Sequence, residues 1–419
     1  MVTVFNSLSI NLKNAVIMKE EKQNFQIPEE SLMKIKTQAE LEDFIQVLYK
    51  QAVENMLKAE MNEHLGYSKH NKEIKGSNNR NGTSSKTLKT SIGDIPLDIP
   101  RDREATFEPL VIPKHQRMSS KIEQAIITMY SKGMSTRDIE DTVNDIYGIS
   151  ISESSISSIT HVVIEDVKQW QNRPLEAVYL AIWMDGIVFK IRHNGRVINK
   201  TIYIIIGLTN EGLKDVLGLW INETESASYW VTVLTDLKTR GVEDILICCS
   251  DNLAGINQAI TAVFPKTLSQ LCVVHQIRNS CRFVLWKDKK EFATDLKAVY
   301  AASNEESAKE ALIDFDKKWG QKYGYAIKSW QNNWNNLTTY FDFPVEIRQL
   351  IYTTNDIESL NSTIRKYTKT KNIYPDDQAA LKSVYLAIVN VQRKWKQQIR
   401  NWGMILNQFI IKFEERCLI

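Results

Sequence analysis

Cysteine is scarce and odd in number: five in 419 residues, two of them adjacent at Cys248 and Cys249. That is no disulfide framework, and it points to a reducing compartment, the cytoplasm. Glycine and proline are few, at 16 and 9, which excludes a fibrous repeat and a low-complexity chain. No apolar run approaches the roughly 18 to 20 residues that cross a bilayer. The first residues, MVTVFNSLSINLKNAVIMKE, lack the basic start and unbroken apolar stretch of a secretion signal. Neither charge dominates, with 53 Lys+Arg against 50 Asp+Glu and a net charge of +3. The expectation is a globular protein that neither spans a membrane nor is secreted.

What is present is a hydrophobic fraction of 43% in a chain long enough for roughly two to three domains. The weak net charge hides a segregation. Lys69 to Lys121 carries eleven basic residues against six acids, and Asn361 to Arg400 carries nine against two. Local basic excess suits a polyanion partner, because each neutralised phosphate releases counterions, although a solvated helix face gives the same pattern.

Residues 1–65 read as an N-terminal helical region, with Leu41, Phe44, Ile45, Leu48, Ala52, Met56 and Leu57 at three- and four-residue steps. This face suits a partner or a core. Residues 66–118 are rich in Asn, Gly and Ser and then in proline, and read as a basic connector with short strands and little core. Over 119–173, GMSTRDIEDTVNDIYGISISESSISSIT has the spacing of a helix-turn-helix, with Gly148 at the turn and Ser152 to Thr160 as recognition helix. From about Pro174 the runs VYLAIWMDGIVFKI, TIYIIIGLT, VLGLWI, ILICCSD and LSQLCVVH read as strands, with helices after the third and fourth. The predicted order β-β-β-α-β-α-β is that of a ribonuclease H-like mixed sheet, its first part ending at residue 275. Residues 276–345 read as an all-helical insertion, and 346–419 as the end of the core with basic C-terminal helices.

Asp185 lies inside an apolar run, where a carboxylate is costly unless a cation compensates it. The competing reading is an Asp-Gly hairpin turn. Asp251 ends ILICCSD at the carboxyl edge of a predicted strand, where α/β sheets present ligand-binding groups; it also suits a helix cap. Glu358 stands on a helix marked by Ile357, Leu360, Ile364 and Tyr367, with Asn361 and Arg365 on an adjacent face, and Asn355 offers it a capping-box alternative. Their conjunction favours one site. Clustered carboxylates suit Mg²⁺ or Mn²⁺, and a pair of such ions suits in-line phosphodiester chemistry.

The motifs EHLGY (63–67), RNGTSSKTLKT, IPLDIPRDR, FEPLVIPKHQR, GMSTRDI, MDGI, SDN, CVVHQIRN (272–279) and TTNDIESLNSTIRK stand in one order. On them the chain resembles bacterial insertion-sequence transposases of the Mutator type over about Glu60 to Trp395. The resemblance implies a metal-binding DDE triad of Asp185, Asp251 and Glu358 on the ribonuclease H-like core. It also implies cleavage at the element's inverted repeats, strand transfer into target DNA, and a dimer or larger assembly in the bacterial cytoplasm at the nucleoid. One departure stands at the second aspartate, where Asp251-Asn252-Leu253 replaces the family's Asp-Ala-His triplet and keeps the carboxylate. Cys272 and His275 resemble its Cys-x-x-His motif; a structural zinc there would need further ligands such as Cys281 or Cys249. The DNA contacts expected are His275, Arg278, Asn361, Arg365, Lys366 and Lys369 near the triad, Arg101 and Arg103 in the connector, and Ser154 and Ser155 in the recognition helix.

Overall fold

A threonine followed three residues later by glutamate starts the first long helix: Thr37 Oγ1 accepts from the Glu40 N–H, and the Glu40 carboxylate accepts from the Thr37 N–H at 3.0 Å. In this computed structural model, which describes residues 29–69, 78–114, 116–352 and 355–417, a single turn α1 (Glu29–Leu32) precedes that helix, α2 (Gln38–Leu65). Residues 1–28 of the expected helical region lie outside the described residues. The chain divides after Val162 into two compact units.

In the first unit α2 buries Val53, Leu57 and Met61. The predicted apolar row is only partly used, since Leu41, Ile45 and Met56 are 42%, 40% and 52% exposed. The reason is where the partner lies. Strands β1 (Arg80–Thr90) and β2 (Gly93–Asp102) form an antiparallel hairpin, closed where Thr90 pairs with Gly93. Leu88, Ile95, Leu97 and Ile112 make one buried cluster with Val53 and Leu57, so the hairpin covers the C-terminal half of α2. The Glu60 carboxylate binds the same stretch through the N–H groups of Leu110 and Val111, at 2.9 and 3.0 Å. The segment expected to be core-poor therefore has a core shared with α2. Leu57→Ala should destabilise this unit by about 2–5 kcal/mol, a loss read directly by urea unfolding.

Three helices follow: α3 (Ser120–Ser131), α4 (Thr136–Tyr147) and α5 (Glu153–His161). Ser135 and Asp138 form a capping box at the start of α4, Gly148 ends it in the left-handed region, and Ser152 caps α5. Ile122, Ile126, Ile139, Val143 and Ile156 are buried where the three pack together.

The second unit opens with α6 (Val163–Gln171), whose Trp170 ring lies 5.3 Å from that of Tyr385. Then come β3 (Val178–His193), β4 (Arg196–Leu208), β5 (Lys214–Asn222), α7 (Ala227–Thr239), β6 (Asp244–Ser250), α8 (Ile256–Val263) and β7 (Leu268–Leu271), in the predicted order. The sheet runs β5-β4-β3-β6-β7; β3, β4 and β5 are antiparallel neighbours, while β6 pairs parallel with β3 and β7. The fold is thus α/β with a mixed sheet. β3 passes straight through Asp185-Gly186 and turns only after His193, at Asn194 (φ 49°) and Gly195 (φ 77°), so the hairpin reading of Asp-Gly does not hold. One face of the sheet buries Tyr179, Ile205, Leu217 and Cys248 against Trp230, Leu234, Leu237, Ile260 and Val263 of α7 and α8.

After β7 the chain is helical: α9 (Val273–Ser280), α10 (Trp286–Tyr300), α11 (Glu305–Asn332), α12 (Trp334–Thr338), α13 (Val345–Ile351), α14 (Asn355–Thr368), α15 (Asp377–Gln392) and α16 (Trp402–Phe413). Phe292 packs edge-on against Phe315, Trp319 and Tyr323, which gives α10 and α11 an aromatic core. Helices α14 and α15 return to the sheet and contact β3. Among the described residues no helix is long and apolar enough to cross a membrane.

Candidate active site

The register of two parallel strands places the first two carboxylates. β3 and β6 pair Met184 with Ser250, so the next residues, Asp185 and Asp251, emerge side by side, Asp251 just past the end of its strand. The Gly186 N–H donates to Asp185 Oδ1 at 2.7 Å, and Asn361 Nδ2 donates to Asp185 Oδ2. Gly186 is glycine for a steric reason: a Cβ there would meet Thr201 Cγ2 at 2.6 Å.

The third strand end brings a histidine. Cys272 donates its N–H to the Ser250 carbonyl at 2.8 Å, which seats the start of α9 beside the end of β6. Cys272 also caps α9, its Sγ accepting the His275 N–H at 3.4 Å. The first turn of α9 therefore directs His275 between two acids, with Nδ1 against Asp251 Oδ1 and Nε2 3.8 Å from Glu358 Oε1. Glu358 stands on α14, held by the buried Ile357, Leu360 and Ile364, and accepts from Arg278 Nη2 at 3.1 Å. The Asn355 side chain, and with it the capping-box reading, lies outside the described residues.

Burial pushes the Asp185 carboxyl up to about 6, and the charge of Asp251 adds to the effect; the Gly186 N–H, His275 and Arg365 oppose it. Burial works against the His275 imidazolium, yet Asp251 and Cys272 outweigh it and hold the ring up to about 10. A metal held by this ring would have to displace the imidazolium proton, because only the neutral imidazole offers a lone pair. Asp251, Cys272 and His275 present ligand atoms within 4.8 Å of one another, so they can hold a metal ion. The third donor of that group is Asp251, and neither Cys281 nor Cys249, the further ligands a structural zinc would have needed, belongs to it. Asp185 and Asp251, on neighbouring strands, also suit a divalent cation, because burial and the charge of Asp251 raise the Asp185 pKa and a cation would relieve both.

With this geometry in hand, the comparison with known proteins is decisive. The sequence model described as "Transposase, Mutator family" matches residues 19–398. The chain belongs to the Mutator family of transposases. It is 43% identical over 370 residues to a probable transposase of an ISRM3-like insertion element from Sinorhizobium fredii, covering 88% of this chain and 92% of the relative. The transposase of insertion element ISRM3 from Rhizobium meliloti is 42% identical over 372 residues, again 88% and 92% of the two chains. The transposase of insertion element IS905 from Lactococcus lactis is 33% identical over 362 residues, 86% and 92% of the two.

In this Mutator-family chain the expected DNA contacts fall into distinct places. Arg278, Arg365, Lys366 and Lys369 are exposed on α9, on α14 and just past its end. Asn361 is 1% exposed and donates its amide to Asp185, so it is buried beside that carboxylate and does not stand with the exposed basic residues. His275 sits between Asp251 and Glu358. Arg101 and Arg103 are exposed on and just beyond β2. Ser154 and Ser155 are exposed on α5, where each hydroxyl lies 2.9 Å from Ser152 Oγ. The sequence spacing put Asn361 one helical turn from Glu358; only packing turned it toward Asp185.

Proposed function

We propose that this chain binds the terminal inverted repeats of its insertion element and catalyses metal-dependent strand cleavage and strand transfer by a DDE mechanism. Asp185, Asp251 and Glu358 are the triad. The observation that carries the reading is the side-by-side emergence of Asp185 and Asp251, linked through His275 to Glu358. The strand order, with three antiparallel strands and then two parallel ones, supports a ribonuclease H-like core. The pair α4 and α5, joined through Gly148, supports a helix-turn-helix that meets DNA.

In this reading Asp185, Asp251 and Glu358 would hold Mg²⁺ or Mn²⁺, which would supply Lewis-acid polarisation of the phosphodiester. The chain's own residues do the placing. Asn361 and the Gly186 N–H fix both oxygens of Asp185, and His275 fixes Asp251. Arg278 and Arg365, with Lys366 and Lys369 beyond, hold the DNA backbone near the reacting phosphate. Water is the nucleophile for cleavage, and the freed 3′-hydroxyl attacks target DNA, so no covalent intermediate with a serine or tyrosine is needed. Assembly as a dimer or larger on two element ends belongs to the same reading, with the exposed apolar residues of α2 as a contact.

The test uses cells carrying the gene with its native flanks, in which element circles and new insertions are sought by junction amplification. Wild type should give junctions and Asp251→Asn none. Equal junctions from both would remove Asp251 from catalysis. Cut ends without any joined product would make the enzyme a nuclease, and DNA binding with neither product would make it a binding protein only.

A further inference from the structure

Alternation along β1 puts Ser84, Lys86, Leu88 and Thr90 on one face of the hairpin, and the register pairs Lys86 with Leu97 and Leu88 with Ile95. Leu88, Ile95 and Leu97 are buried in the core shared with α2. Lys86 therefore stands on the packed face, where the pattern calls for an apolar residue. Its ammonium donates to the Pro113 carbonyl at 3.1 Å and has no carboxylate partner among the described residues. Burial and the nearby Arg117 both lower its pKa, the mark of cations crowded without a counter-ion.

This face opens into a cleft of about 410 Å³ whose lining includes Lys86, Arg101, Lys114, Arg117 and an edge of Phe107, a ring 5% exposed and packed against His64. Arg101 and Arg117 are exposed and have no ion pair among the described residues. Lys114 has Glu108 at 3.6 Å. The acid in the wall, Asp102, offsets only one of the four positive charges and offers the cleft no free oxygen. It is 3% exposed and turned inward, accepting from Asn78 Nδ2, from the Thr106 hydroxyl and from the N–H groups of Thr106 and Phe107. A concave site with surplus positive charge and an aromatic edge suits an anion that carries an organic group. Natural sequences break a local pattern chiefly where a function compensates for it.

We propose that this cleft holds the sugar-phosphate backbone of a DNA strand, the phosphate against Lys86, Arg101 and Arg117 and the deoxyribose against Phe107. The proposal rests on the DNA-binding reading above and deepens it, gathering the expected Arg101 contact with Lys86 and Arg117 into one backbone-binding cleft independent of the triad. Backbone contacts of this kind fix register on the duplex and set salt dependence.

Fluorescence anisotropy of the full chain on a duplex carrying the element's own end, across a salt series, tests it. Wild type, Arg101→Gln/Arg117→Gln and Lys86→Gln are compared, with thermal unfolding to show that each is folded; the double variant changes only exposed side chains. The double variant should bind roughly tenfold more weakly at physiological salt, and its salt slope should fall by about 2. Lys86→Gln should lower the slope by about 1. Wild type that binds while the variants keep its affinity and slope overturns the cleft and leaves the DNA reading standing. Wild type that binds no duplex overturns both. A free anion is the other source of the same chemistry. If inorganic phosphate at matched ionic strength stabilises wild type but not the double variant, with duplex binding unchanged, the cleft takes a free anion and the proposal is wrong.

Discussion

Asp185→Asn will abolish strand cleavage and, in the metal-free protein, raise stability. The two effects share one cause. Burial and the neighbouring Asp251 lift the Asp185 carboxyl to about 6, so the folded chain holds the protonated acid more tightly than the unfolded chain does. The stabilisation from that proton is complete below about 3.8 and is lost as pH rises through about 6, so at neutral pH the charged Asp185 is a liability to the fold. Asparagine removes the charge, and Tm at pH 7.5 should rise by about 2–4 °C. It also removes an oxygen ligand from the proposed divalent site, and the cleavage rate should drop by about a thousandfold or more. Differential scanning calorimetry between pH 4 and 8, with and without Mg²⁺, reads the first effect. Wild type should lose stability across pH 4 to 6 and regain it with Mg²⁺, while the variant does neither. His275 does not confuse this window, because its contribution is complete below 6.5 and is lost only as pH rises through about 10. A variant with unchanged cleavage would remove Asp185 from the chemistry, and one with wild-type pH dependence would refute the electrostatic account.

Asn361→Asp carries the next largest expectation. The native amide is buried, donates through Nδ2 to Asp185, and leaves Oδ1 without a partner among the described residues. A neutral donor orients the carboxylate without cancelling its charge. Aspartate at this position sets a second acid against Asp185, and the pair keeps a shared proton that competes with the metal. The metal concentration for half-maximal cleavage should rise by about 10–100-fold, as outer-shell changes at metal sites do, and the pH profile should move upward. Asn361→Ala should raise that concentration less, since it removes a donor and adds no charge. Metal titration of cleavage, at fixed DNA occupancy measured by anisotropy, separates this from a loss of DNA binding. If Asn361→Asp titrates like wild type, the amide only fills space.

Local rules decided the elements. Alternating and continuous apolar runs gave each of the five strands of the second unit in its observed order, and Gly148 with Ser152 marked the join between α4 and α5. Asp185 and Asp251 stood out as candidates because each carboxylate interrupts or ends an apolar run, a signal written in a few neighbouring residues; Glu358 carried no such signal, since a helix cap explained it equally well, and it joined them only by conjunction and family resemblance. Misreadings arose where a partner far along the chain decides burial. The predicted row on α2 was correct as a helix, yet the buried stripe is Val53, Leu57 and Met61, because the hairpin covers only that half. That hairpin passed for a connector, since prolines and basic residues mask its alternation and its core is completed by α2. The place of Asn361 against Asp185, and of His275 between Asp251 and Glu358, depends on α9 and α14 meeting the adjacent central strands β3 and β6. Spacing along the chain fixes which face a residue occupies; the meeting of strand register and helix packing fixes what that face touches.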